Sequence, residues 1–200
     1  MRTDHPEPRS LHLVRYALPR SAGVTSVTGP GGVVVGLGNE YRRDDGFGPA
    51  VARALRARIP VTIPVTTVTD TADLLDVWAG ARLAIVVDLV VPALLPPGRV
   101  RRWTLDDTPG PLDTHGVDVA AALALARVLG TAPKRVIVYA TSSDDVGFGV
   151  HLSAAVRRAV EVTVGAVSAE VTAAARSGPG AVSESRAPAG TRRHPRRCGW

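Results

Sequence analysis

The stretch Val33–Gly48, VVVGLGNEYRRDDGFG, decides how the rest of the chain is read. Val33–Leu37 is a short apolar run of the kind buried on both faces of a parallel sheet. It passes into a glycine turn at Gly36 and Gly38. The segment Gly46–Arg58 then sets Phe47, Val51, Ala52 and Leu55 on one helical face before Pro60 stops it. Strand, glycine turn and helix in this order suggest a dinucleotide site, but the turn carries two adjacent carboxylates, Asp44 and Asp45, which would oppose a pyrophosphate. The dinucleotide fingerprint also needs a third glycine three residues after the second, and Tyr41 stands there. The turn therefore reads as binding something other than phosphate.

The same alternation continues downstream. Val61–Val68 reads as a β-branched strand, and Asp70 or Thr71 can cap a helix running through Trp78. Leu83–Asp88 is an apolar strand ending in an acid, and Arg99–Leu105 is a strand after a Pro-rich loop. Gly116–Leu129 is helical and ended by Gly130, Arg135–Ala140 is a strand, and Leu152–Val164 has one apolar helical face. About five strands separated by helices predict a single-domain α/β fold, a twisted, mostly parallel sheet with helices on both faces. The domain is expected over residues 33–175. Residues 1–32 read as a weakly ordered extension, and residues 176–200 as a basic, disordered tail.

Charge and cysteine content narrow the function. The formal net charge is +6, yet residues 33–175 hold 14 Lys+Arg against 15 Asp+Glu, so the excess sits in the tails. A nucleic-acid-binding domain carries its basic stripe on the fold itself, so no nucleic-acid partner is expected. No apolar run approaches the ~20 residues that span a bilayer, and the first thirty residues lack a long apolar signal core. A single cysteine, Cys198, excludes a disulfide framework and favours a reducing compartment. The expected setting is cytoplasmic, without a membrane partner.

Ligands of an open α/β sheet bind beyond the carboxyl ends of its strands. That rule selects the loops after Leu37, Val68, Asp88, Leu105 and Ala140. They hold Gly38, Asn39, Asp44 and Asp45; Asp70, Thr71 and Asp73; Asp88; Asp113, His115 and Asp118; and Asp144 and Asp145. Carboxylates with one imidazole suit a borderline divalent cation such as nickel, zinc or iron. A helix cap with first-turn acids accounts for one of the paired aspartates but not for the four glycines around them. An acid within the apolar run Ala84–Val91 is costly to bury unpaired, which favours a functional Asp88. His151 reads as a surface residue at the start of the last helix. Nucleophilic catalysis has little support: Cys198 is in the tail, and no Gly-x-Ser-x-Gly elbow or His-Glu-x-x-His helix is present.

Four segments together resemble the hydrogenase maturation proteases, endopeptidases that trim the large-subunit precursor of nickel–iron hydrogenases. They are GLGNEYRRDDGFG at Gly36–Gly48, LAIVVDLV ending its apolar run at Asp88, DTHGVDVAAALALARVLG around His115, and GFGVHLSAAVRRAV. The likeness covers roughly residues 33–165. It implies that Asp45, Asp88 and His115 bind metal and form the catalytic set, with Gly38, Asn39, Asp70 and Thr71 on the substrate. It further implies that nickel arrives already bound in the hydrogenase large-subunit precursor, that no organic cofactor is needed, and that a C-terminal extension is cut off. Two departures stand out: Asp45 replaces a glutamate common in the family, and the loop TDTADLL replaces Asp-Gly-Gly-Thr. A noncatalytic module that docks a metalloprotein precursor is the alternative reading.

Overall fold

The computed structural model describes residues 31–90, 96–105 and 116–176. The expected tails, His115 and Asp113 lie outside the described residues. Within them runs one sheet of order β2-β1-β3-β5-β4, built from β1 (Gly32–Leu37), β2 (Val65–Val68), β3 (Leu83–Val90), β4 (Arg101–Leu105) and β5 (Val136–Ser142). β2, β1, β3 and β5 are parallel, and β4 pairs antiparallel with β5. The expected five-stranded α/β architecture is the one found.

Alternate residues of each strand feed opposite layers, as the pleat requires. Val34, Ile85, Val87, Ile137 and Tyr139 pack with α1 (Phe47–Leu55) and α4 (Ala154–Arg176) on one face. Val33, Val35, Ala84, Val86, Val136 and Val138 pack with α2 (Leu74–Val77) and α3 (Gly116–Val128) on the other. In α3, Val119, Ala122, Leu123 and Ala126 form the buried stripe at helical spacing.

Four boundaries differ from the sequence pattern. β2 begins only at Val65, because Ile63 N–H closes a turn onto the Pro60 carbonyl and Val61 is 99% exposed. The helix expected from Asp70 is a 3-10 turn, Thr71–Asp73, followed by the single turn of α2. α4 continues to Arg176, since Val164, Val167 and Val171 extend its buried stripe. α1 stops at Leu55, short of Arg58.

The antiparallel β4 also corrects the choice of loops. Arg101 lies opposite Ala140 and Leu105 opposite Val136, so β4 ends at the amino edge of the sheet. The segment after Leu105 therefore starts at the far edge from the other selected loops. α3 runs from the carboxyl edge back to the amino edge, where β5 begins. Its exit at Thr131 accepts a bond from Gly80 N–H beside the start of β3, and it packs against the 3-10 turn that follows β2. Its first residue, Gly116, thus lies towards the carboxyl edge. Among the described residues, no helix is long and apolar enough to cross a membrane.

Candidate functional site

The glycines bring α1 onto the sheet. A Cβ on Gly36 would lie 2.6 Å from the Gly48 carbonyl carbon, and one on Gly48 would lie 2.6 Å from the Val87 carbonyl oxygen. Only bare backbone allows the first turn of α1 to rest on β1 and β3 at this point. Gly38, at φ +128, turns the chain where a side chain would strike the Asp45 carbonyl. The result is a 3-10 turn, Arg43–Gly46, seated directly over the ends of the strands.

The two adjacent acids of that turn point to different places. Asp45 is partly buried, and its Oδ2 accepts the Asn39 N–H at 3.1 Å with Arg42 at 3.7 Å. Asp44 is fully buried. It accepts the Ser143 hydroxyl at 2.7 Å and the Ser153 N–H at 2.6 Å, while its own N–H donates to the Asp145 carbonyl at 3.1 Å. Ser153 in turn caps α4, its Oγ accepting the Val156 N–H at 3.3 Å. Asp44 therefore ties three segments together and does not face a ligand, so of the paired acids only Asp45 lines the cleft described below.

Asp88 stands inside β3 rather than at its end. β3 runs on to Val90 because β5 continues beside it through Ser142. On the other side β1 stops at Leu37, which leaves Asp88 next to the Gly38 turn. Its Oδ1 accepts the Leu89 N–H at 2.8 Å. A cleft of about 500 Å³ opens there, lined by Gly38, Arg42, Asp45, Thr69, Asp70, Thr71, Asp88 and Val146. Four expected site residues besides Asp88 thus share one concavity: Asp45, Gly38, Asp70 and Thr71. Asp70 also caps the 3-10 turn by accepting the Ala72 N–H at 2.8 Å.

Other expected members fall elsewhere. Asn39 lines a second cleft of about 630 Å³ on the β2 side, together with Glu40, Arg53, Thr67 and Asp73. Its Oδ1 accepts the Tyr41 N–H at 2.9 Å, so it shapes the loop as well as orienting Asp45. Asp145 is held by Arg43 at 2.7 Å, and His151 is exposed. Among the described residues, no three His, Cys, Asp or Glu side chains are grouped to hold a metal ion.

Arg43 is a residue the sequence pattern did not single out. It is the one described non-glycine residue with positive φ, +46. Its N–H donates to Gly149, its Nε to Phe148, and its guanidinium to Asp145, while Gly149 N–H donates to Tyr41. This lacing holds Tyr41, Phe148 and Val150 outward at the rim, 64%, 93% and 75% exposed. Single exposed apolar residues are ordinary, but these three stand on mutually bonded loops and form an apolar ridge.

Below the site, Glu170 of α4 joins Arg102 of β4, at 3.0 Å, to Tyr139 of β5, at 3.3 Å. Burial and the negative charge of Glu170 push the Tyr139 phenol above its usual pKa, against the opposing effect of Arg102. Burial would lower the pKa of Arg102, but its bond and attraction to Glu170 leave it raised.

The open α/β sheet thus carries an acid-lined cleft over its carboxyl edge, with an apolar ridge beside it. The chain belongs to the hydrogenase maturation protease family, whose HycI model matches residues 65–170. That match starts at β2, beyond the glycine turn. The fold is similar to the hydrogenase maturating endopeptidase HybD of Escherichia coli, at TM-score 0.59 and 22% identity over 74% of this chain and 94% of that one. It is also similar to the [NiFe] hydrogenase maturation protease HybD of Thermococcus kodakarensis, at TM-score 0.58 and 20% identity over 70% and 99%. A hydrogenase 2 maturation peptidase from a Thaumarchaeota archaeon gives TM-score 0.51 and 25% identity over 71% and 98%. No curated protein sequence matches the chain.

Proposed function

We propose that this protein removes the C-terminal extension of a nickel-loaded hydrogenase large-subunit precursor and reads the nickel through Asp45, Asp88 and His115. The observation that carries the reading is the convergence of Asp45 and Asp88, 43 positions apart in sequence, on one cleft at the carboxyl edge. Membership of the maturation protease family supplies the reaction class. α3 lies on the sheet face to which Asp88 belongs by register, and its first residue directly follows His115 in sequence. That placement suits a third, imidazole donor to the same ion.

The chemistry of the donors fits a cation carried by the substrate. Two carboxylates and an imidazole suit nickel better than calcium. Asn39 N–H fixes one oxygen of Asp45. A carboxylate in such a cleft can also position water for attack on the scissile carbonyl. Gly38, Asp70 and Thr71 border the space the cleavage segment would occupy. The ridge of Tyr41, Phe148 and Val150 offers the folded body of the precursor an apolar footing. The same reading sets the reaction in the cytoplasm, with no organic cofactor.

The test is incubation with the nickel-loaded precursor and intact-mass measurement. Loss of a C-terminal peptide from the precursor supports a protease. A stable, uncut complex supports the noncatalytic docking module instead.

A further inference from the structure

Among the described residues, β2 is an edge strand and its outer edge is unpaired. Val34 N–H donates to the Pro64 carbonyl at 2.9 Å and Gly38 N–H to the Val68 carbonyl at 3.0 Å, so the even-numbered residues of β2 bond to β1. Backbone groups alternate sides along a strand. Val65 and Thr67 therefore turn their N–H and C=O away from the sheet. Among the described residues the Val65 carbonyl meets only the Arg56 Nε, at 3.4 Å, which agrees with the direction it faces. Thr67 is exposed. Unpaired edge groups of this kind template the addition of another strand.

The position of the edge matters as much as its openness. β2 runs toward the acid-lined cleft, and Thr69 and Gly38, just beyond β2 and β1, line both that cleft and the neighbouring one beside Thr67. Sharing these two residues, the clefts adjoin along a path from Asp88 and Asp45 in one to Thr67 in the other. Arg56 stands over this path, and among the described residues it has no acidic partner. Arg53 beside it is already paired with Glu40.

We propose that the outer edge of β2 binds the substrate's C-terminal extension as an added, antiparallel β-strand. This rests on the processing reading above. The direction follows from geometry. The residues before the scissile bond belong to the folded precursor, which sits at the cleft. The extension leaves the cleft along β2 toward its amino end, opposite to the course of β2 itself. In an antiparallel pair one residue of the extension exchanges both backbone bonds with Thr67. Arg56 swings from the Val65 carbonyl and meets a carboxylate, either an acidic side chain of the extension or its terminus. Binding of this kind reads backbone rather than side chains, so it holds the extension straight without demanding a strict sequence.

Thr67→Pro tests this, because it removes the outward N–H from an edge position where proline is tolerated. Losing one or two backbone bonds should raise KM for the full precursor roughly tenfold. Cutting the extension back to its first few residues should weaken processing by the wild-type protein to a similar degree. Thr67→Pro should then add nothing further to that loss. Equal damage by Thr67→Pro on the long and short precursors, or none on either, overturns the edge proposal. Failure of the wild-type protein to cut the loaded precursor at all overturns the processing reading itself. As a measurement free of substitutions, a synthetic extension peptide added to the wild-type chain should slow amide exchange at Thr67. Unchanged exchange at saturating peptide counts against the added strand.

Discussion

Replacing each of the two adjacent aspartates with alanine should separate structure from chemistry within one dipeptide. Asp44→Ala removes acceptors for the Ser143 hydroxyl, at a site closed to water, and for the half-buried Ser153 N–H. Hydrogen bonds to a charged group contribute about 1.5–3 kcal/mol each. The acid also sits at the start of α4, where a negative charge adds a few tenths of a kcal/mol or more. With the half-buried bond taken at the low end of that range, the expected loss is about 3–4 kcal/mol, and at about 3 °C per kcal/mol for a domain of this size Tm should fall by about 10 °C. Asp45→Ala gives up one backbone acceptor bond and a loose contact with Arg42, so it should shift Tm by no more than a few degrees while abolishing precursor cleavage. Thermal unfolding by circular dichroism, with cleavage read by mass, covers both. An Asp44→Ala protein melting within 2 °C of wild type would refute the assignment of Asp44 as a tie between the loops and α4.

Asp88→Asn should abolish processing with little change in Tm, because asparagine keeps the shape and hydrogen-bonding capacity but is a poor ligand for a divalent cation; a collapsed Tm would mark Asp88 as structural. Phe148→Ala should raise KM for the folded precursor several-fold without lowering Tm, since the ring is 93% exposed; steady-state kinetics beside a melt decides it. Tyr139 has a folded pKa above its ordinary value of 10.0, so its neutral form is favoured in the native state. Stability should therefore be intact below pH 10.0 and fall as pH rises beyond it, and Tyr139→Phe should flatten that alkaline decline in a Tm–pH series.

Much of this molecule was legible in its residue pattern, and the misses have identifiable causes. β1, β3 and β5 are continuous apolar runs, and their burial on both faces leaves little ambiguity. The convergence of Asp45 and Asp88 followed from placing acids after parallel strands. β2 is shorter than its pattern because Val61 and Ile63 look like strand residues, whereas the chain between Pro60 and Pro64 closes a turn. Strand direction is invisible in a pattern of apolar residues, so nothing in the pattern shows that β4 ends at the amino edge. The inward role of Asp44 depends on Ser143 and Ser153, 99 and 109 positions away, and nothing local to the turn announces them. Arg43 is similar: its lacing to Asp145, Phe148 and Gly149 exists only once the last loop has folded over the turn.

The central claim is that the carboxylates of the cleft read an ion carried by the substrate. The most direct measurement compares cleavage of nickel-loaded and metal-free precursor by the wild-type protein, followed by intact mass over time. The account predicts shortening of the loaded precursor alone, with the metal-free form left at full length. Equal rates on both forms would contradict it and would leave Asp45 and Asp88 without the role given to them.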